Sequence, residues 1–466
     1  GSEPGVMNPG TFFVFDKAKN NARTQRAAPG CNTSITEASG TRCVWNALPN
    51  QLDTGPTSER ATAYLSGRLK LGGDLEAFAE GAFTHIKMRG ENGPSSFNSG
   101  STNNWFARNT GNTLNTFATP FLSPNNVYLK GKLDADMLAK MGGAAGLNYL
   151  LQDATGHFGQ KNVDENYRAL VGLRGSIGGG WDFETALSVA GSHSTLFQTA
   201  NINIKGFEQA FGPFTKDPVS GRTYISDNPA YKFGEISDAN AALLRAAYPT
   251  FAIESWTKLM TWDAKLEGTL FKLGEREVRA AVGTNIMRES FLTPGNADAA
   301  NGLITQQGGS WFDGRRTIAA VFGEVVVPLS DTLEVNAAAR LDKYPHFAAN
   351  LAPKLGVIWR ARPDLMLRGT YSEGFRAPNL AESGTGGVFA QVGGIRDTVR
   401  CDETNAMARA LLKSKVATDA DLGKSLLNSN CSTTVGGLTP PNQNLRPEKA
   451  KISTVGLVLQ PAKDVS

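Results

Sequence analysis

Apolar and polar positions alternate with a period of two through much of this chain. Along Leu333–Lys343, Leu333, Val335, Ala337, Ala339, Leu341 and Lys343 stand at one parity, and Glu334, Asn336, Ala338, Arg340 and Asp342 at the other. Side chains of successive strand residues point to opposite faces, so this pattern predicts a strand with one apolar and one charged face. The same split runs through Tyr167–Ile177, Trp262–Phe271 and Leu365–Ser372. These runs approach the roughly 9–11 residues that a tilted strand needs to cross a bilayer.

The connections between such segments come in two kinds, in alternation. Leu69–Leu75, Ile177–Trp181, Phe271–Glu275, Leu329–Thr332 and Ala361–Asp364 read as tight reversals rich in Gly, Pro, Ser and Asp. Between them lie long connections, Asp16–Glu59, Arg89–Asp164, Ser194–Thr257, Phe291–Arg315 and Phe375–Glu448. Short turns at one end of the strands and long loops at the other are the build of an outer-membrane barrel, with the turns in the periplasm. Half-buried sheets of soluble proteins share the alternation, so two further features matter. Trp181, Trp359, Tyr167, Tyr344 and Tyr371 stand near strand ends, where interfacial aromatic girdles form. The polar face repeats Arg, Lys, Asp and Glu, too many ions for a packed interior and normal for a wet or plugged lumen.

Composition agrees with a barrel: 40% hydrophobic and 19% charged residues suit strands that are apolar only at every second position. There is no apolar run of about 18 residues that would make a spanning helix. The net charge of +4, without a basic patch interleaved with aromatics, argues against a nucleic-acid partner. The first residues lack a charged segment leading into an apolar run, so no signal peptide is expected within this sequence. Strand signals number about a dozen, the first at Thr11–Phe15.

Catalytic motifs are not evident. His85, His157, His193 and His346 are scattered singly, and no nucleophile elbow, HExxH or phosphate loop stands in its required context. Hence no catalytic residue, metal site or cofactor is expected. The four cysteines fall as two local pairs within long connections, Cys31 with Cys43 and Cys401 with Cys431. In an oxidising exterior such pairs would staple loops, and neither has zinc-ligand spacing. Function concentrates on loops held by rigid scaffolds. Trp105, Phe106 and Arg108 in a stretch of Asn, Ser, Thr and Gly, and Phe207 and Phe211 in the third long connection, are candidate contacts for a ring-bearing ligand. Packing of these rings into the loops themselves is the competing expectation. Asp134–Leu151 and Asp402–Leu427 have helical periodicity and predict short helices in outer loops.

Tyr371–Ser372–Glu373–Gly374–Phe375–Arg376–Ala377–Pro378–Asn379–Leu380–Ala381–Glu382 resembles the barrel motif of TonB-dependent outer-membrane receptors. Its run-up, Pro353–Gly356, Trp359 and Leu367–Gly369, is similar, as are Val321–Val325 and Asn444–Leu445–Arg446–Pro447–Glu448–Lys449. The resemblance covers about Val321 to Val458. It implies an all-β, antiparallel transmembrane β-barrel of about 22 strands, plugged in its lumen, with long extracellular loops carrying short helices. It also implies residence in the bacterial outer membrane, among its lipids, and transport driven by the inner-membrane TonB complex acting through the plug. Neither a TonB box nor a plug is recognised here, nor a terminal aromatic strand, so residues 1–466 read as a partial barrel domain, about half a barrel.

On this reading the chain binds a scarce small molecule such as a siderophore–iron complex, cobalamin or an oligosaccharide. Arg376, on the lumen face of the motif, joins the candidate contacts, with barrel shaping as its plainer role. A surface adhesin or passive porin-like barrel, and a soluble β-rich secreted enzyme, are the rival classes.

Overall fold

The computed structural model describes residues 5–7, 11–16, 22–27, 34–38, 40–43, 55–91, 96–98, 109–110, 113–114, 121–123, 125–128, 130, 146–150, 159–199, 202–216, 223–233, 237–301, 303–304, 310–416, 419, 423, 426–427, 431 and 433–460. Its main element is a 13-stranded antiparallel sheet. The strands are β1 (Thr57–Gly72), β2 (Leu75–Glu91), β3 (Gly159–Gly178), β4 (Trp181–Gln198), β5 (Phe251–Leu273), β6 (Arg276–Thr293), β7 (Trp311–Pro328), β8 (Leu333–Lys343), β9 (Asn350–Arg362), β10 (Leu365–Arg376), β11 (Thr385–Ile395), β12 (Thr433–Thr439) and β13 (Glu448–Leu459). β1 to β10 form an up-and-down meander, and β13 closes against β10. β11 and β12 form a hairpin in the last long connection, and β11 also pairs with the start of β7. Among the described residues the outer edges of β1 and β13 have no strand partner.

The predicted strands are present, and several are longer than the alternation suggested: β5 runs for 23 residues and β3 for 20. All the tight reversals lie at one end of the sheet. The turn after β3 needs left-handed backbone at three consecutive positions, Gly178, Gly179 and Gly180, with φ of 87°, 64° and 78°; only glycine adopts this at little steric cost. At the other end lie the long connections and one short one, residues 344–349. Thr11–Asp16 is not a strand of the barrel sheet. It belongs to a second sheet with Gly5–Met7, Ala22–Ala27, Ser34–Glu37, Gly40–Cys43, Ser96–Asn98 and Gly146–Leu150. That sheet also corrects the helix expected over Asp134–Leu151: residues 146–150 are extended and pair in parallel with Gly5–Met7, and residues 134–145 lie outside the described ones.

The register sorts the main sheet into two unlike faces. One cross-strand row reads Gly67, Ala79, Val171, Leu187, Trp262, Ile286, Ala319. On this face Leu65, Val171, Leu187, Val321 and Val455 are 54–92% exposed. A surface so widely apolar is unsuited to water and suited to lipid. Its few polar groups are satisfied locally, as lipid requires: the hydroxyls of Thr185 and Thr284 donate to the carbonyls of Asp263 and Ala320, and the indole N–H of Trp262 donates to Thr185 Oγ1. From Met260 to Leu270 the band climbs about 25 Å at a tilt of ~40°, the height of a barrel's apolar belt.

The opposite face is charged. The row Lys70, Glu76, Arg174, Glu184, Lys265 alternates in sign across five neighbouring strands. Arg174 grips Glu76 through two nitrogens at 2.6 and 3.0 Å and lies over the Phe78 ring. Opposite charges facing each other across strands stabilise the pairing.

Candidate functional site

The inner face holds a polar constellation near the loop end of β3 to β7. Strand parity turns Asn166, Ser192, Thr257, Glu289 and Arg316 inward, and together with Asn379 they line a cavity of about 650 Å³. The cavity's far wall is the stretch after β10, which folds back across the sheet instead of leaving it. Pro378 provides the reason for that departure: without an N–H it cannot extend a ladder. Asn379 then caps the short helix α4 (Leu380–Ser383) by a reciprocal pair of bonds with Glu382 at 2.7 and 2.8 Å. Leu380 of this turn packs over Gly314 of β7.

Arg316 anchors this arrangement. Its guanidinium bonds the Glu289 carboxylate, donates to the Pro378 carbonyl at 2.6 Å, and stacks over the Tyr344 ring at 5.0 Å. Tyr344 meets Phe375 edge-on at 5.8 Å. Burial, then the nearby Asp342 carboxylate, push the Tyr344 phenol above its ordinary pKa. Tyr344 is therefore an inner support of Arg316 and not a girdle residue, because the chain has already turned inward after Lys343. Tyr167, Trp359 and Tyr371 do stand exposed on the apolar face.

Arg376 performs a related task on the last strand of the motif. It bridges Glu382 of α4 at 3.0 Å and Glu448 at the start of β13 at 2.6 Å. One cation thus ties the Tyr371–Glu382 segment to the Asn444–Lys449 segment. The Asn379 backbone N–H, and after it Arg376, hold the Glu382 carboxyl below the usual carboxylate range. Gly374, Phe375, Ala377 and Pro378 shape this exit. Leu445 and Arg446 lie just before the bridge, with the Leu445 N–H donating to Asn442 and Pro447 preceding Glu448.

Above this face the long connections form a small packed unit of their own. The one-turn helix α3 (Ala297–Ala300) is capped by Asn296; α1 (Ile204–Phe211) and α2 (Asp238–Ala247) are capped by Asn203 and Ser237. They cross so closely that a Cβ on Gly206 would meet the Ala246 carbonyl at 1.9 Å. Three separate connections are stitched together here by main-chain bonds: Ile225 to Phe121, Val127 to Asp227, and Ile204 to Leu303, all at 2.8–3.0 Å. The core is aromatic, with Phe211 at 4.6 Å from Phe207, 5.1 Å from Tyr231 and 5.8 Å from Phe233.

The sequence-derived candidates divide accordingly. Phe207 and Phe211 are 3% and 0% exposed, so the expectation that they stack on a ligand is corrected: they fill the loop core, because helix α1 turns its apolar stripe inward. Trp105, Phe106 and Arg108 lie outside the described residues. Cys401 and Cys431 form the expected disulfide, closing a loop around α5 (Arg400–Leu412); the Cys31–Cys43 pair lies outside the described side chains. The helix expected over Asp402–Leu427 ends at Leu412. Arg316 and Glu289 belong to no motif of the sequence, and Asn379 enters there only as a member of the Tyr371–Glu382 segment. The adjacent Arg315–Arg316 pair was the available signal, since parity must send one arginine inward.

Residues 89–465 match the family model described as TonB dependent receptor-like, beta-barrel. No curated protein matches this chain. Among solved structures it is similar to the ferric enterobactin receptor of Pseudomonas aeruginosa, at 10% identity and a TM-score of 0.44, covering 98% of this chain and 47% of that one. It is similar also to the siderophore receptor PirA of Acinetobacter baumannii, at 12% identity and a TM-score of 0.39, covering 92% and 53%. The RagAB peptide importer matches at 11% identity and a TM-score of 0.40, covering 86% and 38%. The chain spans about half the length of PirA or less of these structures. Families of this kind transport and do not catalyse. By the family match over most of its length, the chain belongs to the TonB-dependent receptors of the bacterial outer membrane, of which it carries β-barrel sequence.

Proposed function

We propose that this protein takes up a scarce extracellular solute, bound first among the outer loops and then at the inner face, and moved inward by coupling to TonB. The observation that carries this is the cavity at Asn166, Ser192, Thr257, Glu289, Arg316 and Asn379. It presents amides, hydroxyls and one ion pair among apolar side chains such as Leu259, Phe291 and Leu380, beneath a loop end built as a packed unit. Such a lining suits an oxygen-rich organic or prechelated solute, for which siderophore–iron, cobalamin and oligosaccharide are the classes. A bare metal ion would call for a cluster of carboxylates or imidazoles. The lumen needs no covalent chemistry; it must bind selectively and release on demand.

The test is uptake in a deletion strain given labelled members of each class, with and without an energised inner membrane. Loss of uptake of one class, restored by the wild-type gene and abolished by de-energising, is the expected result. Unchanged uptake of every class would overturn the proposal. Energy-independent uptake would favour a passive porin-like barrel.

A further inference from the structure

The lipid-facing side carries its own charged feature at the loop-side border of the apolar band. The first outward ionisable residues above the band are His85 on β2, Glu165 on β3 and His193 on β4, all in one register row. On β5 the border residue is Lys258, which pairs with Gly191, below that row; on β6 it is Arg288, lower again, opposite Met260. The turn ends descend in the same direction, since β5 continues to Leu273 beyond Gly268, the partner of Trp181. The border therefore steps in the same direction as the turns, as the headgroup level of a membrane does around tilted strands.

At this border three cations converge. Lys258 and Arg315 both face Ser290 from the two sides of β6, and Arg288 stands two residues along from Ser290 on the same face. Arg288 is thus a diagonal neighbour of both, at roughly 7–8 Å between strand positions. All three are exposed, and among the described residues none has a carboxylate within ion-pair distance. Asp313 faces the same way beyond Arg315, and Thr317 lies opposite Arg288. Glu289 and Arg316 are on the other face, engaged with each other. Lys343, the next outward cation, donates to its own loop at Phe347 and is spent there. The turn end is different: Arg276, Arg362 and Lys272 have Asp331, Asp364 and Glu277 as partners.

Like charges on neighbouring strand positions repel, and the cost rises beside lipid unless a counter-anion is present. We infer that Lys258, Arg288 and Arg315 bind the phosphorylated headgroup of a lipid in the leaflet that surrounds the loop end. Two guanidiniums offer paired N–H donors matched to phosphate oxygens, and the ammonium adds a point charge. The acyl chains of the same lipid would lie on Met260, Trp262 and Ile286 directly below. By strand parity the three side chains point away from the solute cavity, although Lys258 contributes to that cavity's wall.

The experiment uses the full-length protein in neutral detergent, titrated with phosphatidylcholine vesicles containing either bis-phosphorylated or dephosphorylated lipid A. Inorganic phosphate serves as a soluble competitor. The variant Lys258→Gln/Arg288→Gln/Arg315→Gln is compared with Arg245→Gln/Arg409→Gln/Lys413→Gln, which removes equal charge from the loop helices. Wild type should prefer the phosphorylated vesicles. The cluster variant should weaken that preference about fivefold per charge and about 100-fold in all, the loop variant should retain it, and phosphate should compete poorly. Single substitutions, each expected to lose about fivefold, carry the test if the triple variant does not fold. An equal response to both vesicles, retention by the cluster variant, or tight competition by free phosphate would each overturn the inference.

Discussion

Replacing Phe211 by Ala should dissolve the loop unit while leaving the strands in place. Phe211 is fully buried and touches Phe207, Tyr231 and Phe233, so truncation removes the ring at the centre of the cluster. Large-to-small substitutions of buried phenylalanine cost about 3–5 kcal/mol, the loss being greatest where neighbours cannot close the void. Collapse is restrained here by the tight α1–α2 crossing at Gly206 and by the main-chain bonds that tie Ile225 to Phe121 and Ile204 to Leu303. Local opening of a loop module draws on its own small stability and not on that of the barrel. Amide hydrogen exchange read by mass spectrometry should therefore show protection falling about 10²–10⁴-fold across residues 202–216, 223–233 and 237–250. The amides of β3 to β6 should keep theirs. Unchanged exchange in the loops would refute the claim of a packed unit. Equal loss in the strands would refute its independence from the barrel.

Three further outcomes are expected. Arg376→Gln removes the cation shared by Glu382 and Glu448, so limited proteolysis should cut residues 377–384 faster than in wild type, and equal cutting rates would contradict the bridge. Glu382 has a lowered pKa in the folded chain, so its contribution to holding α4 is fully present above the ordinary carboxylate value of about 4.3 and is lost as pH falls through the folded value; acidification should release α4 in that window, and Glu382→Gln should abolish the pH dependence. Cys401→Ser/Cys431→Ser removes the constraint on the loop around α5, worth about 3–4 kcal/mol on a chain-entropy estimate; exchange in 400–412 should accelerate, and unaltered exchange would show the loop to be held by other contacts.

Much of the barrel sheet was legible because its signal is local. β8 lies where the alternation of Leu333–Lys343 placed it, and each Gly- or Pro-bearing reversal is a turn. The 146–150 segment reads as helix because Leu133, Met137, Leu138 and Met141 before it repeat at helical spacing, while its actual partner, Gly5–Met7, is remote in sequence. Phe207 and Phe211 read as exposed loop aromatics because nothing local announces that Tyr231 and Phe233 converge on Phe211. The inner site was half visible. The motif around Arg376 was recognised, but its two carboxylate partners lie on either side of a long connection. Arg316 acquires its meaning only from the fold-back of Pro378, which no periodicity encodes.

A lipid-facing and a lumen-facing side require the residues of β7 to point alternately outward and inward. Spin labels placed singly from Arg315 to Val325 in the full-length protein, reconstituted in lipid, would report collision with oxygen, which dissolves in the bilayer, and with a water-soluble nickel chelate. Odd positions such as Ala319, Val321 and Val325 should favour oxygen, even positions such as Ala320, Phe322 and Glu324 should not, and oxygen access at the odd positions should drop on reaching Arg315. An accessibility profile without a period of two, or with the apolar face reached by the nickel chelate, would contradict that arrangement.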